Sequence, residues 1–248
     1  MTDAQKFVFK EIDEVGADTL DVISDAEKFN NWMYQTIRPY CSGKVLEIGS
    51  GIGNISSHFI SDGYQITLTD IRAQYCKRLE QKFAGQPNVD GVHLMDLVDP
   101  EFDTRFSAFF GKYETIFALN VVEHIKEHQL ALDNCKKMLI KGGKVVILVP
   151  AYQWLYNGMD EDLEHYRRYT GASLSALFKQ SGYKLMHQQY FNFVGIFGWF
   201  FTGSILRKRN IPGKQMKIYN VLVPVFKWID RLILHKAGLS VIVVGTRT

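Results

Sequence analysis

Residues 44–53, Lys-Val-Leu-Glu-Ile-Gly-Ser-Gly-Ile-Gly, constrain the fold more than any other stretch of this chain. The apolar run 44–48 reads as a buried strand, and the three alternating glycines stop it abruptly. Glycine lets the backbone turn sharply and approach a ligand with no Cβ in the way. A helix over 53–62 should follow. The same unit recurs: strands at 64–69, 89–95, 113–119 and 144–149, with helices at 72–84 and 121–139. Gly142 and Gly143 would stop the last of these helices. Apolar strands alternating with helices imply a parallel sheet covered on both faces by right-handed crossovers. Ligands of such sheets sit at the carboxyl ends of the strands, near the switch in strand order.

The flanks add less regular parts. Residues 5–38 read as mostly helical, with Phe29, Trp32, Met33 and Ile37 at helical spacing, and Pro39 ends them. At the other end, 183–190 and 239–246 read as strands six and seven, with 191–238 inserted between them. The chain is thus expected to be a single domain over 1–248, with a helical cap at 1–40 and an aromatic and basic insertion that closes over a substrate. Hydrophobic content of 46% and charged content of 22% suit one globular α/β domain. Residues 1–13 mix both charge signs without an apolar core, so no secretory signal is expected and the cytoplasm is the expected compartment. Cys41, Cys76 and Cys135 are too far apart for a disulfide framework or a cysteine zinc site.

Acids recur where strands should end. Glu47 precedes the glycine turn, Asp70 follows strand two and Asp96 follows strand three, while Asn120 follows strand four. Asp70 lies 21 residues after Gly49, the right place for two ribose hydroxyls. A dinucleotide fingerprint would put its third glycine at position 54, which is Asn here. An acid at 47 is also awkward beside a pyrophosphate but welcomes an α-amino group. An NAD(P)-dependent oxidoreductase is therefore the disfavoured alternative.

The segments VLEIGSGIGN, LTDIR, MDLVDP, YETIFALNVVEHI and LIKGGKVVILVP resemble the successive motifs of class I S-adenosylmethionine-dependent methyltransferases. The resemblance covers about residues 28–190 and the last strand. It implies a Rossmann-like, doubly wound α/β fold with seven strands in the order 3-2-1-4-5-7-6, strand seven antiparallel and helices on both faces. It further implies that Glu47, Gly49 and Gly51 hold the methionine part of the cofactor, with Ser50 and Gly53 in the same turn. Asp70 with Ile71 would take the ribose, Asp96 with Leu97 the adenine, and Asn120 would lie against the methionine moiety. S-adenosylhomocysteine would be the product.

The acceptor side is less defined. Residues 159–170, MDEDLEHYRRYT, follow strand five, and as a helix they would put Asp162, His165 and Tyr166 on one face. His165 is expected to face the acceptor as catalytic base, oriented by Asp160 or Asp162. A transfer to oxygen, rather than carbon or nitrogen, needs such a base. Glu123-His124 is similar to part of the E-x-x-E-H segment with which quinone-biosynthesis O-methyltransferases can hold a divalent cation. Asn120 replaces the first glutamate, so no metal is expected and His124 is read as packing near the cofactor pocket.

Residues 150–170 together with the insertion look like bacterial methyltransferases encoded beside glycosyltransferases and lipid- or polysaccharide-assembly enzymes, which points to a small, lipid-like or glycan-linked acceptor. From Phe200 onward the chain carries nine Lys/Arg and one acid, Asp230; subtracting that +8 from the total of +3 leaves −5 for the first 199 residues. A nucleic-acid methyltransferase is the alternative this basic tail suggests. No [DN]-P-P-[YF] motif is present, however, and the basic residues are interleaved with apolar ones, so no nucleic acid is expected. Peripheral contact with the inner face of a membrane through 191–238 fits that interleaving better.

Overall fold

The computed structural model describes residues 14–210 and 212–248. The signal reading at 1–13 and the helix expected from residue 5 to residue 13 lie outside the described residues. Seven strands, β1 (Val45–Ile48), β2 (Ile66–Asp70), β3 (Val89–Leu94), β4 (Tyr113–Leu119), β5 (Leu139–Pro150), β6 (Tyr183–Phe191) and β7 (Ser240–Arg247), form one sheet in the order β3-β2-β1-β4-β5-β7-β6. Strands β1 to β5 pair in parallel, and β7 runs antiparallel to both β5 and β6. The helices are α1 (Glu14–Ser24), α2 (Glu27–Ile37), α3 (Ser56–Ser61), α4 (Ala73–Lys82), α5 (Phe102–Arg105), α6 (His128–Met138), α7 (Gly158–Asp162), α8 (Gly171–Gln180), α9 (Phe193–Trp199) and α10 (Gly213–Leu232). A π-helical turn, Phe200–Ile205, continues α9.

The period-two alternation of strand side chains explains why the strands read as continuous apolar runs. Ile116, Ala118, Ile147 and Val243 point to one core, against Leu132 and Met138 of α6 and Phe178 of α8. Their neighbours Phe117, Val146, Leu148 and Ile242 point to the other, against Ile37 of α2, Phe59 of α3, Leu79 of α4 and Val223 of α10. Both faces are buried, so neither register of the alternation needs polar residues. All three cysteines are free and buried, and desolvation pushes the thiols of Cys41 and Cys135 up to about 12.

Two expectations fail locally. Residues 121–139 are not one helix: Val122–His124 is a single tight turn, and α6 begins only at His128. Gly142 and Gly143 do not stop that helix, because they lie within β5. The β4–β5 register jumps there, from Tyr113 opposite Leu139 to Thr115 opposite Lys144. Gly142 takes a left-handed φ of 80°, as such an excursion needs.

The insertion packs as a roof. Asn192 starts α9 from a left-handed φ of 69°. The fully buried Asp230 of α10 accepts the Asn192 and Phe193 N–H groups at 2.6 and 2.8 Å. Helix α10 is also tied to α2, where the Phe29 N–H donates to Asn220 at 3.0 Å and the Phe29 ring meets Tyr219 edge-on. Asp230→Ala orphans two buried donors. It is expected to cost about 3 kcal/mol, or roughly 6–12 °C of melting temperature in a domain this size. Thermal unfolding that matches the unsubstituted protein would contradict this account of the roof.

Candidate functional site

Strand order reverses between β1 and β4, and the turn after β1 lies at that parting. Gly49 has φ 68°, and a Cβ there would sit 2.4 Å from Val121 Cγ2, so only glycine lets the two strand ends approach this closely. Gly51 has φ 54°, and its N–H donates to Asp70 Oδ2 at 2.9 Å. The Ser50 N–H donates to Thr69 O at 2.8 Å, which closes the turn onto β2. Gly53 has another purpose: a Cβ there would lie 2.6 Å from the Phe83 ring. It packs against Phe83 at the end of α4 and lines no part of the cavity described next, contrary to its expected place in the cofactor site.

Above the strand ends lies a cavity of about 850 Å³. Its first half is walled by Glu47, Ser50, Asp70, Ile71, Asp96, Leu97 and Asn120 and covered by α1 and α2 through residues such as Leu20 and Met33. Asp96 gives one carboxylate oxygen to the Val98 N–H at 2.9 Å, and Leu97 is buried beside it. Ile71 stands at the rim, more than a third exposed. Asn120 is held at φ 54° with its N–H on Leu148 O at 2.8 Å. Glu47 is buried and accepts from the Ser56 hydroxyl; desolvation pushes its carboxyl up to about 8. Burial likewise raises Asp70, against the N–H groups of Arg72 and Gly51 that favour its charge.

The second half of the cavity lies under α9, the π-turn and α10, and is built around the charge run. That run is not a helix throughout. Helix α7 ends at Asp162, Glu164 takes a left-handed φ of 60°, and Tyr169 bridges in parallel to Ala151. Asp160 explains the break. Its Oδ2 accepts the Asn157 N–H at 3.0 Å in the capping box of α7, while its Oδ1 faces His165 Nδ1 at 2.8 Å and accepts Arg168 Nε at 2.7 Å. The chain must curl back over α7 for all three to reach one carboxylate. Asp162, in contrast, pairs with Arg209 at 2.5 Å and does not touch His165. Arg167 bonds the carbonyls of Ile125 and Lys126 rather than an acid.

Arg168 and Asp160 are almost wholly buried, and the guanidinium lies 4.6 Å from the Trp199 ring centroid. Burial alone would raise Asp160, but His165 and Arg168 hold its carboxyl below the usual carboxylate range. Desolvation lowers His165, against Asp160, so its imidazole is neutral at pH 7. The neighbouring Glu123 is fully buried with both oxygens unpartnered among the described residues, and desolvation pushes it up to about 8. Glu123, His124 and His165 each place a ligand atom within 4.8 Å of the others. The sequence showed only the adjacent pair Glu123-His124; the loop brings in the third group. Trp199, Thr202, Gln215 and Tyr219 of the roof also line this half. Their only sequence signal was the aromatic and basic character of 191–238.

A family model described as a methyltransferase domain matches residues 5–188. The chain belongs to this family. The methyltransferase is 24% identical over 115 residues to a ubiquinone biosynthesis O-methyltransferase of Erwinia tasmaniensis, which covers 46% of this chain and 45% of that protein. It is 27% identical over 113 residues to a lovastatin diketide synthase of Aspergillus terreus, across 42% of this chain and 4% of that one. The chain therefore spans a small part of the curated polyketide synthases it matches. A phosphoethanolamine N-methyltransferase of Haemonchus contortus, solved with S-adenosyl-L-methionine, superposes with a TM-score of 0.64 at 14% identity, over 97% of this chain and 60% of that one. The likeness is one of fold.

As a class I member, the methyltransferase takes S-adenosylmethionine as its cofactor. The cradle fits that molecule: the glycine turn leaves room for backbone approach, and buried acids at the strand ends suit a ligand with an ammonium and two ribose hydroxyls. Glu47 would hold the ammonium and Asp70 the ribose. Because the Glu47 carboxyl is raised to about 8, it must lose a proton before pairing with a cation. S-adenosylhomocysteine affinity should thus climb as pH rises toward about 8, by at most about tenfold per unit, and level off above. Calorimetry at neutral pH in buffers of different ionisation enthalpy should register the released proton. Glu47→Gln should abolish both effects, and a pH-independent affinity in the unsubstituted protein would refute this role.

Proposed function

We propose that this methyltransferase transfers its methyl group to a hydroxyl oxygen of a small acceptor, lipid-like or glycan-linked, held in the half of the cavity under α9 and α10. The observation that carries the reading is that His165 lines the cavity while the fully buried Asp160, outside the lining, meets its Nδ1 at 2.8 Å. S-adenosylmethionine, when bound, supplies an electrophilic methyl on its sulfonium, so the protein's own tasks are alignment, exclusion of water and removal of the hydroxyl proton. With Nδ1–H donating to Asp160, His165 keeps the lone pair of Nε2 for that proton. Asp160 is a positioning residue, fixing the tautomer and favouring the imidazolium that forms. Arg168 offsets the Asp160 charge, and the 191–238 insertion acts as a substrate lid and as the peripheral membrane contact.

A second reading is favoured by the Glu123–His124–His165 cluster, whose spacing suits a divalent cation that would activate the same hydroxyl. The two readings part experimentally. If His165 is the base, His165→Ala should lower kcat by about 10²–10⁴-fold while S-adenosylhomocysteine affinity is unchanged. Asp160→Asn should lower kcat without raising the acceptor KM. Dialysis against EDTA should leave turnover intact. Turnover lost on chelation and restored by a divalent ion would favour the metal, and His165→Ala at full activity would refute both.

A further inference from the structure

Helix α10 carries two apolar faces. One, with Met216, Val223 and Phe226, is buried against the fold and meets the cavity through Gln215 and Tyr219. The other is a stripe of Ile218, Val221, Leu222, Val225, Trp228 and Leu232, spaced as i, i+3, i+4, i+7, i+10 and i+14, and each is between 42% and 65% exposed. That spacing confines the six side chains to about one third of the helix circumference. A helix apolar on two faces belongs between two apolar media, and an exposed stripe of this extent marks an interaction surface.

Charge decides the partner. Lys217, Lys227 and Arg231 lie together along one flank of the stripe, and Arg207, Lys208 and Arg209 precede the helix. The only acid after residue 200 is Asp230, and it is fully buried in the bonds that cap α9. This part of the surface therefore presents cations and apolar side chains. Acids from other elements approach its edge, the exposed Asp25 beside Lys214 and Lys217 and Asp162 paired with Arg209, but the cations outnumber them. A second copy presenting the same face would meet it with like charge, whereas an anionic lipid surface complements both features at once. No helix among the described residues is long and apolar enough to cross a membrane, so the stripe would lie in the interface plane.

We infer that the outward stripe of α10 docks on an anionic lipid bilayer and thereby turns the roof of the acceptor half toward the lipid. The inference deepens the peripheral contact proposed above, and rests on it, by assigning the contact to one helix face and one lipid charge. It also gives the acceptor a class: a molecule with a polar hydroxyl-bearing head and an apolar tail, taken from the membrane rather than from water. The cavity wall made by Thr202, Gln215 and Tyr219 is the inner side of the same helices that would rest on the bilayer.

Sedimentation of the full chain with vesicles of phosphatidylcholine alone, or mixed with phosphatidylglycerol, tests the docking. Binding is expected only to the mixed vesicles and should weaken as salt rises. Val221→Asp with Val225→Asp should weaken it roughly tenfold or more, and Lys217→Glu with Arg231→Glu by a similar factor. Affinity for S-adenosylhomocysteine should be unchanged in both double variants, which shows that they fold. Full vesicle binding by the Asp variant would overturn the assignment to α10 while leaving the 191–238 contact standing. No binding by the unsubstituted protein would overturn both. Concentration-dependent dimers abolished by Val221→Asp/Val225→Asp, without vesicle binding, would give the stripe to a second copy instead.

Discussion

The site depends on how closely the ends of β1 and β4 approach each other. At Gly49 a single methyl group would collide with the Val121 side chain, so the glycine lets Val121 close directly against the turn after β1. That closeness brings Glu47, Asn120, Glu123 and His124 around one cavity although they come from two different strand–helix units. Lys82 reinforces the turn by donating to the carbonyls of Ile52 and Gly53 at 2.9 and 3.1 Å. A parallel sheet supplies such a crevice wherever its order reverses, and the glycines decide how narrow it is.

Buried acids are the second theme, and their surroundings give them different roles. Asp160 has a buried arginine, a histidine and a backbone N–H on its two oxygens, and it stays ionised. Glu47 and Glu123 lack a cationic partner within bonding distance among the described residues, and both are raised by desolvation. A carboxyl group kept neutral in a cavity wall is a poor contributor to stability and a sensitive receiver of a ligand's charge or hydrogen bond. Glu47 and Glu123 line the cavity, whereas Asp160 acts on it only through His165 and Arg168.

Much of this was legible in the sequence. Strand–turn–helix alternation gave the sheet, and the acids it put at strand ends, Glu47, Asp70 and Asp96, do line one cavity. Gly53 looked the same as Gly49 in the sequence but serves packing against Phe83, a contact 30 residues away that no local pattern announces. The half of the cavity under α9 and α10 was harder. MDEDLEHYRRYT has helical spacing, yet the demand of three partners on Asp160 ends α7 after five residues. Which acid would orient His165 was a question of tertiary geometry, and Glu123 gained significance only when the loop folded over it. The roof gave its composition in advance and its packing not at all.

The buried Asp230 has a consequence for how the roof holds together. Its carboxylate belongs to α10, and both N–H groups it accepts belong to the start of α9. Neither helix can leave without stranding polar groups of the other in an apolar setting. The roof is thus a cooperative unit: its two helices share one buried carboxylate, so displacing either one costs the polar contacts of both.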